Sequence, residues 1–190
     1  LLRRFSTTNT ATNGDTNRDA NKGAKGWVHT KLLLEVGWGP RELWKRLREE
    51  PPPLLAMGSN PYMLLMTAQV YARSGGELPA NRARLFAAFV DTLLAREKVR
   101  NRGRWVAADQ QKDGLAALAY AMQAEGGRGT TVERAWAVDH LCQAVPGCDA
   151  GRLLYLATSA SLLDADEGSV RFYHQLLQEY FAAREMERRV

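Results

Sequence analysis

Residues 161–173 read SLLDADEGSVRFY, two short apolar-rich segments on either side of a polar turn that ends at Gly168. Extended segments joined by a four-residue turn with a final glycine are typical of a β-hairpin. Three predicted helices precede this stretch and one follows it, at about 107–125, 132–144, 150–160 and 174–189. Helices followed by a two-stranded hairpin have the element order of a winged helix. We therefore predict a winged-helix domain over 104–190.

The preceding part of the chain has a helical pattern. Asn60-Pro61 predicts a helix start, because Asn is a favoured N-cap and Pro suits the first helical position. Gly75-Gly76 should end that helix near Arg73, and a second helix over 81–100 carries apolar residues at helical spacing. The predicted fold class is thus mainly α, with a small helical bundle over 27–103 followed by the winged-helix domain and its one β-hairpin.

The N-terminal 26 residues differ in composition from the rest. Residues 6–26 are rich in Thr, Asn, Gly and Asp and have almost no side chains to bury, so we expect 1–26 to be a disordered tail or linker. The 190-residue chain has a net charge of +5 and a pI of about 9.4. The tail holds five of its cations against two carboxylates, and no aromatic residues alternate with them beyond Phe5. A solvated tail is therefore favoured over a nucleic-acid site.

The sequence contains no familiar catalytic or metal-binding motif. A phosphate-binding P-loop, a dinucleotide fingerprint, a serine-hydrolase elbow and a zinc-binding His-Glu-x-x-His are all absent. The three histidines lie in separate predicted elements, and Cys142 and Cys148 are too few for a disulfide framework or a zinc site. We expect reduced thiols in a cytoplasmic protein, no membrane span, no metal, and no catalysis by these residues.

Two motifs point to one class of signalling protein. The first is GSNPYMLL at 58–65, followed after a gap by LPANRARLF at 78–86. The second is VRFYHQLLQEYFAA at 170–183. Together and in this order they resemble the region C-terminal to the P-loop core in NACHT-type NTPases of the STAND class. The resemblance covers roughly residues 40–187, while the Walker motifs and the strands of the nucleotide-binding core are missing.

The resemblance implies a fragment of a nucleotide-dependent switch, consisting of its helical and winged-helix parts. The full-length parent would be a P-loop ATPase with ATP or ADP and Mg, and this fragment would bind none of them firmly. Expected partners in cis are the missing N-terminal nucleotide-binding core and C-terminal sensor repeats, with a homo-oligomer on activation. A prokaryotic protein of defence or stress signalling fits this class.

Two residues are candidate nucleotide contacts. In the family, the residue that matches Pro61 lies against the adenine of bound nucleotide, and the residue that matches His174 contacts the β-phosphate of ADP. Each has a structural alternative: Pro61 suits the first position of any helix, and His174 could pack at a helix start and donate to a backbone carbonyl. Gln178 and Glu179 are interpreted as a solvated or inter-helix polar pair.

Two other functions are compatible with the predicted fold. A winged helix could be a DNA-binding regulator, but its third helix carries only Arg152, and groove and phosphate contacts need more polar and cationic side chains. Nucleic acid is therefore disfavoured as a partner. A helical protein-interaction adaptor is the second alternative, in which Pro61 and His174 would have no special role.

Overall fold

A computed structural model of the chain describes residues 60–124 and 130–190, together with Leu43, Lys45 and Arg48. These three residues are helical and lie in the segment after Pro40. The predicted tail at 1–26 and the start of the predicted helical domain near Trp27 lie outside the described residues.

The described chain is mainly helical, as predicted, with one small sheet. The described helices are α1 (Pro61–Arg73), α2 (Arg82–Arg100), α3 (Ala108–Ala124), α4 (Arg134–Ala144), α5 (Ala150–Ser159) and α6 (Gln175–Arg189), with a 3₁₀ turn at Arg102–Arg104. The strands are β1 (Thr131–Glu133), β2 (Leu163–Ala165) and β3 (Ser169–Phe172). The helix ends all fall within two residues of the predicted ones, and the largest difference is at the start of α4, which is predicted at 132 and lies at Arg134.

The predicted hairpin is present, and a third strand joins it. β2 and β3 pair antiparallel, with Leu163 opposite Phe172. Residues 132–133, predicted as the start of a helix, belong instead to strand β1, which pairs antiparallel with the other edge of β3. Val132 is buried opposite Val170, so tertiary packing decides the conformation of a segment too short to show a strand period.

The order α3, β1, α4, α5, β2, β3 is that of a winged helix, and β2 and β3 form its wing. Close helix packing holds this unit together at Gly114 of α3. A Cβ atom added there would lie 3.0 Å from a methyl carbon of Leu153 and 3.3 Å from one of Leu141. Glycine thus lets α3 approach α4 and α5 more closely than a residue with a side chain would.

Two helix ends use the left-handed backbone conformation. Gly75 follows α1 with φ +69°, and the Gly76 N–H bonds to the carbonyl of Tyr71 at 3.0 Å. Ser161 takes the equivalent position after α5 with φ +61°. The N–H groups of Ser161 and Leu162 bond back to Thr158 and Ala157 at 3.0 and 2.9 Å, which completes a Schellman motif.

One contiguous hydrophobic core includes residues from both predicted domains. It runs from Met63 and Phe89 in the helical part to Leu153 and Phe181 in the winged helix. Helix α6, at the end of the chain, packs chiefly along α3 and also reaches α2. The division at 103/104 stays a prediction, and α1 and α2 pack directly on the winged helix.

Candidate functional site

The start of α1 has the geometry that Asn60-Pro61 predicts. Asn60 is extended, and its side-chain Oδ1 accepts hydrogen bonds from the N–H groups of Tyr62 at 2.9 Å and Met63 at 3.3 Å. Pro61 occupies the first helical position, where its missing N–H leaves no bond unmade. Its ring is exposed, so this structural role leaves the proline free to contact a ligand.

His174 is the N-cap of α6 and not its first residue, so the prediction that the helix begins at 174 is off by one. Its backbone is extended, and its Nδ1 accepts the N–H of Leu176 at 3.1 Å. Because Nδ1 accepts, this geometry places the ring proton on Nε2. The structural alternative from the sequence, donation to a backbone carbonyl, is replaced by acceptance from a backbone amide.

The two sequence motifs meet through an aromatic stack. The rings of Tyr62 and His174 lie 4.2 Å apart between centroids and are nearly parallel, at 6°. Tyr62 also meets Phe89 edge to face, with 6.2 Å between centroids. Burial, followed by the neighbouring Tyr173, raises the pKa of the Tyr62 hydroxyl, which stays neutral at physiological pH. Tyr62 therefore presents an uncharged ring face to the imidazole.

These contacts determine which parts of His174 can reach a ligand. Tyr62 covers one ring face, and the N-cap bond occupies Nδ1. What remains is the opposite face and the Nε2–H donor of a half-buried ring. A fixed N–H donor at a helix N-terminus, where unpaired backbone amides concentrate, suits an anionic oxygen.

A second pair of stacked rings also joins the first two helices to the winged helix. Phe86 of α2 and Tyr180 of α6 stack with 5.5 Å between centroids and an interplanar angle of 14°. The guanidinium of Arg82 lies 5.6 Å from the Phe86 centroid. Gln178 and Glu179, interpreted above as a polar pair, differ in their surroundings. The Gln178 side chain is buried, whereas the Glu179 carboxylate is exposed and accepts a hydrogen bond from the Gln175 amide at 3.1 Å.

A buried carboxylate that the sequence analysis did not single out forms a third contact at this boundary. Glu97 of α2 is fully buried and accepts the Ser159 hydroxyl of α5 at 2.6 Å and the Asn101 amide at 3.1 Å. Arg96 and Arg100 pair with its other oxygen at 3.4 and 3.3 Å. Burial is the main cause that lowers the pKa of Arg96, and Glu97 opposes that shift. No sequence pattern marks Glu97, because it lies between Arg96 and Lys98 in a run of charged residues.

The third helix of the winged helix, α5, presents little to a nucleic acid. Arg152 is its one cation, and its Nε lies 3.9 Å from the carboxylate of Asp149, the N-cap of the same helix. Tyr155 is about half exposed on this helix. The exposed side of α5 thus keeps the low charge that its sequence shows.

Neither protein-family models nor curated proteins match this sequence. Within the described ranges, every helix is too short or too polar to cross a membrane. The interpretation of Pro61 and His174 therefore depends on their geometry and on the motifs that contain them.

Proposed function

We propose that this chain is the regulatory helical and winged-helix part of a nucleotide-dependent switch of the NACHT/STAND type. In the full-length parent, a P-loop core in cis would bind ATP or ADP with Mg and supply the ATPase activity. The segment described here would close over bound ADP and reorient on activation. The proposal includes a cytoplasmic setting, sensor repeats in cis and assembly into a homo-oligomer.

The observation that carries this proposal is the Tyr62–His174 stack. Two motifs far apart in the sequence each supply one candidate nucleotide contact, Pro61 and His174, and Tyr62, the residue after Pro61, contacts His174 directly. A switch that closes over one nucleotide needs its two nucleotide contacts close together, on the surfaces where the two parts of the chain meet. An adaptor or a DNA-binding regulator has no such requirement.

The chemistry of the two side chains suits the two ends of ADP. The exposed Pro61 ring is rigid and apolar and can lie against a planar base. His174 has an Nε2–H donor, and a phosphate oxygen would accept a charge-assisted hydrogen bond from it. Since α1 and α6 belong to different parts of the chain, a ligand that contacts both residues would favour the arrangement in which they are close.

The test uses the full-length parent and separates the two roles of His174. His174→Asn keeps an N-cap acceptor, because Asn is among the best capping residues, but removes the imidazole N–H. His174→Ala removes both. A charge-assisted hydrogen bond contributes about 1.5–3 kcal/mol, so both variants should release ADP roughly ten- to a hundredfold more readily. Retained nucleotide is measured by chromatography of the denatured protein and by the release rate of a fluorescent ADP.

The melting temperature provides the control. It should fall in both variants, because both lose the ring that stacks on Tyr62, and it should fall further in His174→Ala, which also loses the cap. If His174→Asn retains ADP as the parent does, His174 is a structural residue and the proposal loses its main support. A parent without a Walker A motif would contradict the class altogether.

A further inference from the structure

A groove between α2 and the chain leading into α3 is separate from the site above. It has a volume of about 490 Å³ and is lined mainly by apolar groups. Its lining includes Leu94, Ala95, Trp105 and Ala108, together with Asp91 and Lys98. A volume of this size is within the range of small-molecule sites. Trp105 is half-buried and packs against the hydrophobic core, so its indole is held in place while part of it faces solvent.

The chain next to this groove is the most basic stretch of the described protein. Residues 96–104 read REKVRNRGR, with five cations and one carboxylate. Glu97, the single carboxylate, is buried and already engaged. The rest of the described chain has more carboxylates than cations. The positive charge is therefore concentrated beside the groove and not spread over the surface.

Three of these cations have no acidic partner in the part of the chain that the structure describes. Within the ranges that the structure describes, no carboxylate pairs with Lys98, Arg102 or Arg104, and all three are exposed. Lys98 lies in the last turn of α2, where a cation complements the helix dipole. Arg102 and Arg104 lie beyond the helix, on the 3₁₀ turn that leads directly to Trp105. The helix dipole therefore explains Lys98 but not the two arginines.

The one exposed carboxylate of the groove does not cancel this charge. Asp91 forms an ion pair with Lys112 of α3, which also lies 4.0 Å from Asp109. The repulsion that Asp91 would exert on an anion is thus reduced. Among the residues that the structure describes, none pairs with Lys98, the other charged group of the lining.

We propose that this groove binds single-stranded nucleic acid, with one base against Trp105 and the adjoining phosphates on Lys98, Arg102 and Arg104. Proteins bind single strands by combining an aromatic stacking surface with a cationic track along the backbone. Arginine suits phosphate because its planar guanidinium can donate two hydrogen bonds at once. A run of acidic side chains could pair with the cations, but carboxylates offer no planar ring to stack on the indole. The proposal does not depend on His174 or on ADP, and it places the nucleic acid away from α5.

The test measures binding of a fluorescein-labelled oligothymidylate of about ten nucleotides to the 190-residue chain by fluorescence anisotropy. Three phosphate contacts predict that log Kd rises with log salt concentration with a slope of about 2 between about 50 and 200 mM salt. Arg102→Gln with Arg104→Gln should weaken binding about tenfold or more and lower the slope to below about 1. The matched control is Arg82→Gln with Arg84→Gln, which removes the same charge from the other end of α2 and should leave binding unchanged.

The indole is tested by two substitutions that keep an apolar side chain at position 105. Trp105→Leu should weaken binding about 5- to 100-fold because it removes the stacking surface, and Trp105→Phe should recover most of that loss. Circular dichroism and melting temperature verify that each variant is folded. If Trp105→Leu does not fold, a cross-link from a 5-iodouracil base to Trp105 in the unmodified chain gives the same information, and its absence would contradict the proposal.

Competitors identify the ligand class. Unlabelled oligothymidylate should displace the probe, whereas AMP and polyglutamate should not at equal residue concentration. Displacement by AMP would indicate that the ligand is a free nucleotide, and displacement by polyglutamate would indicate that it is an acidic protein segment. Either result, or loss of binding in the Arg82/Arg84 control, overturns the proposal.

Discussion

The imidazole of His174 lies parallel to the phenol ring of Tyr62, with 4.2 Å between ring centroids, although the two residues belong to helices at opposite ends of the described chain. The N-cap bond from Leu176 fixes the rotation of the same imidazole. Two independent contacts thus orient one ring, and substitutions can remove them one at a time.

Removal of the Tyr62 ring should loosen His174 without unfolding the chain. Tyr62→Leu removes the stack on His174 and the edge-to-face contact with Phe89, each of which contributes about 0.5–1.5 kcal/mol, so it should lower the free energy of unfolding by about 1–3 kcal/mol. Tyr62→Phe keeps the stack and should stay within about 0.5 kcal/mol of the parent. Urea unfolding measures both, and the NMR shifts of the His174 ring protons report the stack. Unchanged His174 shifts in Tyr62→Leu would contradict the contact.

Glu97 and Ser159 should be energetically coupled. Ser159→Ala removes a hydrogen bond to a charged acceptor and should cost about 1.5–3 kcal/mol, and Glu97→Gln, which removes the buried charge but leaves arginines that reach solvent, should cost a similar amount, about 1–3 kcal/mol. The double variant should cost less than the two single changes together, by about 0.5–3 kcal/mol. Thr158→Ala is the control, since that hydroxyl bonds within its own helix to Leu154 at 2.9 Å. Full additivity for Ser159 would mean that the contact does not contribute to stability.

Ser161→Gly should stabilise the chain. Ser161 has φ +61° in the Schellman motif after α5, a conformation that costs a non-glycine residue about 1–2 kcal/mol. Glycine removes that strain, but it raises the conformational entropy of the unfolded chain, which costs about 0.5–1 kcal/mol of stability. The net gain in the free energy of unfolding should therefore be up to about 1 kcal/mol. Thermal unfolding should show a higher Tm. Ser161→Ala, which keeps the strain, should leave it nearly unchanged.

The wing turn should weaken in acid. The carboxylate of Asp166 accepts the N–H of Ser169 at 2.6 Å and of Gly168 at 2.9 Å, and these bonds, with the Ser169 hydroxyl, lower its pKa. A lowered folded-state pKa means that this stabilisation is complete above about pH 4 and is lost as the pH falls through the folded value. Asp166→Ala should therefore lower Tm at pH 7 more than at pH 2. An equal difference at both values would exclude a role for the charged form, and Asp166→Asn, which does not titrate, is the control.

Local signals in the sequence account for much of this fold. Asn60-Pro61, Gly75-Gly76 and Gly168 act through neighbouring backbone groups, so each could be interpreted without knowledge of the tertiary structure. Strand β1 could not be predicted this way, since its three residues pair with a strand far along the chain. The Tyr62–His174 stack and the burial of Glu97 also depend on packing between distant helices. The motifs identified the residues of the candidate site but not the contacts between them.

The contacts that join α2 to the winged helix differ in kind along that helix. Phe86, near the start of α2, contacts Tyr180 through ring faces, which can slide or separate without leaving a polar group unpaired. Glu97 lies eleven residues later, about 16 Å along the axis, and its separation from Ser159 would remove a hydrogen bond to a buried carboxylate. The lowest-cost motion of α2 is therefore a rotation about its C-terminal end. In such a motion the helix acts as a lever with its fulcrum at Glu97, and the displacement of α2 is greatest at its N-terminal end, near Arg82.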